Sequence, residues 1–309
     1  MSVTRLVYRI RSGSDEYIDL AKDLSIVNRK LIRQKQIFTV MVGMMKDSGG
    51  SDLRFSVAPH TWTTKLAINR AFKQWRKLQS LTYKRTEGLR APKWNDFKVY
   101  LDEVHTAGQT LKPSYNSTKL HQDGEWNYST LVQPKLIDPD NDGGLEFDDD
   151  ADSWDLHIVG PHTGSTTITT DSGKTFYQNV TRVGMINSWY HSRPVPVTTA
   201  PNNVPAGADP GETIYTDPLS NLFDIHDDDN EMASVIESEN DQAPYDYNRV
   251  QGAEPGELQL VSFCDNSSGE PDIVTIPGFQ AVCGLIKVTG TTDTDSILIL
   301  DVQTEGERF

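Results

Sequence analysis

The run Ile37–Met45, IFTVMVGMM, leads through DSGGSD (Asp47–Asp52) into LRFSVA (Leu53–Ala58), and its reading decides the fold. The first segment is apolar and β-branched, the composition of a buried strand. Asp47–Asp52 has turn chemistry and Leu53–Ala58 reads as a second strand, so the three pieces predict a β-hairpin. Pro59 ends it, because proline cannot donate to a ladder.

Outward from this hairpin, Val3–Ile10 reads as a strand, with Val3, Leu6 and Val7 apolar and Arg5, Arg9 and Arg11 basic. Tyr17–Gln34 carries Leu20, Leu24, Val27 and Leu31 at helical spacing and predicts a short helix. Thr61–Arg85, TWTTKLAINRAFKQWRKLQSLTYKR, has the clearest period in the chain. On a helical wheel, Ile68, Ala71, Phe72, Trp75 and Leu78 fall on one side, and Arg70, Lys73, Arg76, Lys77 and Lys84 fall opposite. That is an amphipathic helix with a core face, where Phe72 and Trp75 pack, and a cationic face. The cationic face is either solvated or turned to a polyanion.

Trp94–His105, WNDFKVYLDEVH, fits either a strand through Phe97, Val99 and Leu101 or a short helix. Polar, Gly- and Pro-bearing sequence predicts long surface insertions at 106–153 and 190–256. Trp154–Val159 reads as a strand, and Thr166–Thr170 with Thr175–Ile186 as a Thr-rich pair. Leu258–Phe263, Ile273–Ile276, Val282–Val288 and Ser296–Val302 complete the strands. About nine or ten short strands with one long and one short helix, and no βα alternation, predict a mainly β, antiparallel β-sandwich. We expect one domain over residues 1–309.

The 309 residues carry a net charge of −15, unevenly spread. Residues 1–100 hold 20 Lys/Arg and 8 Asp/Glu, a balance of +12, and the remainder stands at −27. A body so polarised can turn its basic side to a polyanion and its acidic side to solvent. Arg29, Lys30 and Arg33 extend the cationic set of the long helix. An acid-rich chain with a chance basic third is the plainer reading.

Two cysteines, Cys264 and Cys283, exclude a disulfide scaffold. The N-terminus has no apolar signal region, and no apolar run is long enough to span a membrane. Asp138-Pro-Asp140-Asn-Asp142-Gly143, continuing to Glu146 and Asp149, matches the spacing of a Ca²⁺-binding loop, with oxygen donors at alternate positions and Gly at the sharp turn. Neither flank reads as a helix, so the choice lies between a Ca²⁺ site outside an EF-hand and a solvated acidic loop. The seven histidines have no metal-ligand spacing, and no nucleophile elbow or phosphate loop occurs. Nothing singles out an enzyme.

VNRKLIRQ (Val27–Gln34), AINRAFKQWRKL (Ala67–Leu78), WNDFKVYLDEVH (Trp94–His105) and IPGFQAVCGLIKV (Ile276–Val288) together resemble the capsid proteins of small circular, Rep-encoding single-stranded DNA viruses. The resemblance covers the first third and the last strands. It implies a jelly roll of eight antiparallel strands, non-enzymatic self-assembly in multiples of sixty copies, and location in the virion. It also implies a cationic inner surface on a single-stranded DNA genome, and a host receptor outside. Such proteins commonly begin with an Arg-rich arm, whereas this chain has only Arg5, Arg9 and Arg11 near its start. Arg70, Lys73, Arg76, Lys77 and Lys84, with Arg29, Lys30 and Arg33 behind them, are then the expected phosphate contacts, through folded elements instead of an arm. The other reading is a β-sandwich binding module for glycans or proteins, acting through its long loops with Trp126, Tyr128, Trp154, Trp189 and Tyr190 as stacking residues.

Overall fold

Leu6, Tyr8 and Ile10 are buried in alternation with Arg5, Val7 and Arg9, and the same rhythm of two returns at Ser296, Leu298, Leu300 and Val302 near the other end of the chain. A period of two places alternate side chains on opposite faces of a strand, so these runs form strands with one face in the core. The structure is a computed structural model and describes residues 2–10, 15–46, 51–85, 92–108, 110–116, 119–137, 146–163, 166–169, 175–178, 181–192, 244–245, 249–266, 273–292 and 296–309. In chain order it contains β1 (Val3–Ile10), β2 (Glu16–Asp19), α1 (Leu20–Asn28), β3 (Gln36–Lys46), β4 (Ser51–Val57) and α2 (Trp62–Arg85). A 3₁₀ turn at Val104–Thr106 follows, then β5 (Thr130–Ile137), β6 (Glu146–His157), β7 (Thr166–Thr169), β8 (Thr175–Gln178), β9 (Arg182–Gly184) and α3 (Met185–His191). The chain closes with β10 (Gln259–Asn266), β11 (Ile273–Ile276), β12 (Phe279–Val282), β13 (Leu285–Thr292), β14 (Ser296–Gln303) and β15 (Glu307–Arg308). The protein is mainly β, as expected, and its sheets are antiparallel apart from the β6–β9 pair.

The pairings nest. β1 lies on β14, β2 on β13, β3 on β11 and β12, and β4 on β10, each antiparallel. Two further pairings, β14 with β3 and β13 with β4, join these into the orders β1-β14-β3-β11 and β10-β4-β13-β2. One core cluster draws on both sheets, with Tyr8, Phe38, Met45 and Leu300 from the first and Ile18, Phe55 and Val288 from the second. Each such side chain contributes about 1.5–3 kcal/mol by leaving water.

This pairing corrects the hairpin expected at Ile37–Ala58. β3 and β4 follow each other in sequence yet belong to different sheets, because both flanks of β3 are occupied by β14 and by β11/β12, and both flanks of β4 by β10 and β13. Val282–Val288 is likewise not one strand. Cys283 and Gly284 both take positive φ, 57° and 69°, so the chain turns out of β12 in one sheet and into β13 in the other. A Cβ on Gly284 would come within 2.8 Å of the Phe38 ring, so this corner needs glycine for space as well as for backbone.

Other boundaries shift. The helix expected over Tyr17–Gln34 is split into β2 and α1, because Asp19 caps α1 by accepting from the Lys22 N–H at 3.1 Å. Arg29 ends it in the left-handed region at φ 50°. Trp94 lies in a turn, and the 95–101 stretch after it forms no helix, with Phe97, Val99 and Leu101 buried and Tyr100 bridged to His157. The 106–153 insertion contains β5 and the start of β6, where loop was expected. Ile186 lies in α3, a helix the Thr-rich reading missed. The chain divides into two compact units, residues 1–192 with 250–309, and residues 193–249. Most of the second, and so most of the 190–256 insertion, lies outside the described residues.

Candidate nucleic-acid interface

Helix α2 begins where Thr61 Oγ1 accepts from the Thr64 N–H at 3.2 Å, a side-chain cap on donors that the first turn leaves unpaired. Its inner face is Thr64, Ala67, Ile68 and Trp75, all buried, with Ala71 and Phe72 packed beside them. The seat is aromatic: the Phe97 ring meets Phe72 edge-on at 5.6 Å and lies 5.7 Å from Trp75. The wheel reading holds for these residues, but Leu78 is an exposed large hydrophobic.

Arg70, Lys73, Arg76, Lys77 and Lys84 are all exposed. None of the five forms an ion pair with another described residue. Trp62, Leu66 and Leu81 are exposed on the same helix, and Trp62 meets Trp189 edge-on at 5.4 Å. The surface is therefore cationic with apolar points on it, which suits a polymer that carries both phosphates and flat bases.

The second cationic group follows α1. Arg29, Lys30 and Arg33 are exposed. Lys30 pairs with Glu305 at 2.8 Å, so its charge is partly answered. Between the two groups lies Lys35, 5.0 Å from the Phe72 ring centre and bonded to the Phe309 carbonyl. Burial, and to a smaller degree the nearby Lys73 charge, pull the Lys35 ammonium below the usual lysine range. That coupling places the start of β3 against α2.

Beneath these groups the polar interior is closed by hydrogen bonds. Asp19 Oδ2 accepts from the Trp126 indole at 3.1 Å, from Tyr128 at 3.3 Å and from Gln34 at 3.3 Å. Burial still pushes Asp19 up to about 6. Gln34 also accepts from the Val99 N–H at 2.6 Å and donates to the Val99 carbonyl at 3.1 Å, tying β3's entry to the strand-like 97–101 segment. His105 accepts from the Leu101 N–H at 3.1 Å and stacks on Tyr17 with ring centres 4.4 Å apart. Burial pulls His105 down to about 4, so it is neutral at pH 7.

The residues expected to hold Ca²⁺ cannot be placed as a site. Asp138, Asp140 and Asp142 lie outside the described residues, and of Glu146 and Asp149 only the backbone, within β6, is described. Among the described residues no group of three or more His, Cys, Asp or Glu could hold a metal ion. The aromatic residues proposed to stack on glycans are engaged in packing. Trp126 and Tyr128 are bound to Asp19, Tyr128 stacks on Tyr100 at 3.9 Å, and Trp189 is buried. Comparison with protein-family models, with curated proteins and with solved structures finds no match.

Proposed function

We propose that the chain is a viral coat protein that assembles with copies of itself into an icosahedral shell around a nucleic-acid genome, held in part by a basic inner surface. The observation that carries this reading is the nesting of strand pairs. A single long antiparallel hairpin pairs its first strand with its last, second with seventh, third with sixth and fourth with fifth. Wrapped on itself, it gains contacts between last and third and between seventh and fourth. With β11 and β12 counted as one strand, those are the pairings of β1–β4 with β10–β14. That pattern supports a jelly-roll reading, an architecture used by viral capsids and by lectins.

Between the lectin and the capsid the charge favours the capsid. The basic helix α2 follows the fourth body strand directly and presents five exposed cations that no described carboxylate answers. Phosphate contact through such a face is sequence-independent and weakens with salt. The genome is single-stranded DNA in this reading, the shell its location, and the host receptor meets the outer surface. Ca²⁺ held by Asp138, Asp140, Asp142, Glu146 and Asp149 would bridge carboxylates between subunits. A glycan-binding module would need exposed rings, and three of its five candidates, Trp126, Tyr128 and Trp189, are packed.

The test is assembly. The purified chain, dialysed across a range of salt and Ca²⁺ concentrations and viewed by negative-stain electron microscopy, is expected to form closed particles that protect nucleic acid from nuclease. Monomers under every condition overturn the proposal, as does a particle with Lys73 and Arg76 on its outside.

A further inference from the structure

A cleft of about 330 Å³ opens beside the C-terminal end of α1. Three stretches distant in sequence line it: Lys22, Arg29 and Lys30 from α1 and its exit, Trp94 and Lys98 from the 94–101 segment, and Trp126. Lys98 is only 5 % exposed. Its ammonium stands 4.6 Å from the centre of the Trp126 ring and forms no ion pair with a described carboxylate. Asp96, Asp19 and Glu125 are near enough to favour its charge, none of them as an ion pair, and an arriving anion would stabilise it further. Burial still holds Lys98 below the usual lysine range.

The lining itself holds four cations, Lys22, Arg29, Lys30 and Lys98, and one acid, Glu125. Lys22 is 3.7 Å from Asp123, and Lys30 is bonded to Glu305. Arg29 forms no ion pair with a described residue. The acid in the lining, Glu125, accepts from the Asn127 amide at 2.9 Å. Trp94 is 59 % exposed, and the Lys93 ammonium stands 4.9 Å from its ring centre, so the indole is open to solvent with a further cation beside it. Trp126 is held still by its bond to Asp19. Cations argue for an anion, and an open indole argues for a flat ring on the same ligand. The volume lies at the low end of small-ligand pockets, enough for one unit rather than a run.

We propose that this cleft holds one nucleotide of a single strand, with its base stacked on Trp94 and its phosphate beside Lys98 and Arg29. This rests on the nucleic-acid reading above and adds base contact to what α2 supplies as charge alone. Stacking on an aromatic side chain tolerates any base, so the site would grip a genome without reading it.

The experiment titrates the full chain with fluorescein-labelled oligothymidylate and with an abasic strand of equal length, over a series of salt concentrations. Trp94→Ala is expected to weaken oligothymidylate binding about tenfold with its salt slope unchanged, Trp94→Phe to restore most of the loss, and the abasic strand to bind wild type no better than it binds Trp94→Ala. Lys98→Met is expected to weaken both strands. Arg70→Glu combined with Lys73→Glu and Arg76→Glu should flatten the salt slope while the Trp94 effect persists. Equal binding by wild type and Trp94→Ala overturns the inference, as does tighter competition by a heparin fragment than by oligothymidylate. Filled particles with an inert Trp94 would sink the cleft and leave the coat protein standing. Binding through Trp94 without particles would do the reverse.

Discussion

The body formed by the six- and four-stranded sheets and the segment inserted between β4 and β10 are built with different emphasis. The body is held by backbone ladders and period-two burial: eight consecutive residues of β1 face eight of β14 in unbroken register. The insertion has shorter ladders of its own, β5–β6–β9 and β7–β8, and adds ring contacts and buried polar groups to them, with Phe72 and Trp75 on Phe97, Tyr100 on Tyr128, and His105 on Tyr17. A ladder repeats one interaction and tolerates local change, whereas a ring cluster depends on a few residues brought from far apart.

Truncation of one ring in each region gives the largest expected effect. Phe55 is fully buried in the body and Phe97 is 1 % exposed under α2. Phe55→Ala and Phe97→Ala should each cost about 3–5 kcal/mol, with different consequences. The first is expected to lower the main calorimetric transition and abolish particles. The second should release α2, cutting nucleic-acid binding while the body's transition stays near the wild-type value. If Phe97→Ala lowers the main transition as far as Phe55→Ala does, body and insertion unfold as one unit and the contrast breaks.

Acid sharpens the same contrast, because the two regions should respond with opposite sign. Asp19, at the end of β2, is raised to about 6 in the fold against about 3.9 in the unfolded chain. The folded state then holds the extra proton between those values, and stability from this group falls as pH rises from 4 to 6. His105 and His162, in the insertion, are lowered to about 4 against about 6.5 unfolded. Here the unfolded chain holds the extra proton, and stability falls as pH drops from 6.5 to 4. Each group is worth on the order of 3 kcal/mol at the limit, so the two histidines outweigh Asp19 and wild-type stability should fall on acidification from pH 6 to 4. Urea midpoints measured across that range should depart from the wild-type profile in opposite directions in two variants: Asp19→Asn steepens the fall, and His105→Gln brings the profile close to flat. Parallel profiles would mean that the buried groups are solvated in solution.

The body was more legible in the sequence than the insertion, for a physical reason. Val3–Ile10, Ile37–Met45 and Ser296–Val302 carry their burial in a local period, and the structure has strands at all three. Which strand pairs with which is not local, and the nearest partner in sequence was the wrong one for β3. At Cys283–Gly284 a pair of positive φ angles divides a run that is apolar but for Lys287, which only the glycine hints at. On α2 the buried face was readable because helical burial is periodic. The cleft beside α1 was not: Lys98 and Trp94 stand four residues apart and reach α1 only through tertiary contacts. The lone signal was an alternation, Phe97, Val99, Leu101, with a lysine inside it.

The smallest expected effect isolates a single charge. Glu305 stands 2.8 Å from Lys30, and both are well exposed. An exposed pair of this kind adds little to stability, because water and salt screen it. Glu305→Gln should therefore leave the urea midpoint where it was. It should, however, free the Lys30 ammonium at the lip of the cleft, and one more phosphate contact steepens the dependence of log affinity on log salt by about 0.7 for a single strand. A titration of oligothymidylate over a tenfold range of salt resolves that change. A steeper slope with an unchanged midpoint separates the binding surface from the fold that carries it. An unchanged slope would mean that Lys30 does not meet the phosphate and that Lys98 and Arg29, its neighbour at the end of α1, carry the contact without it.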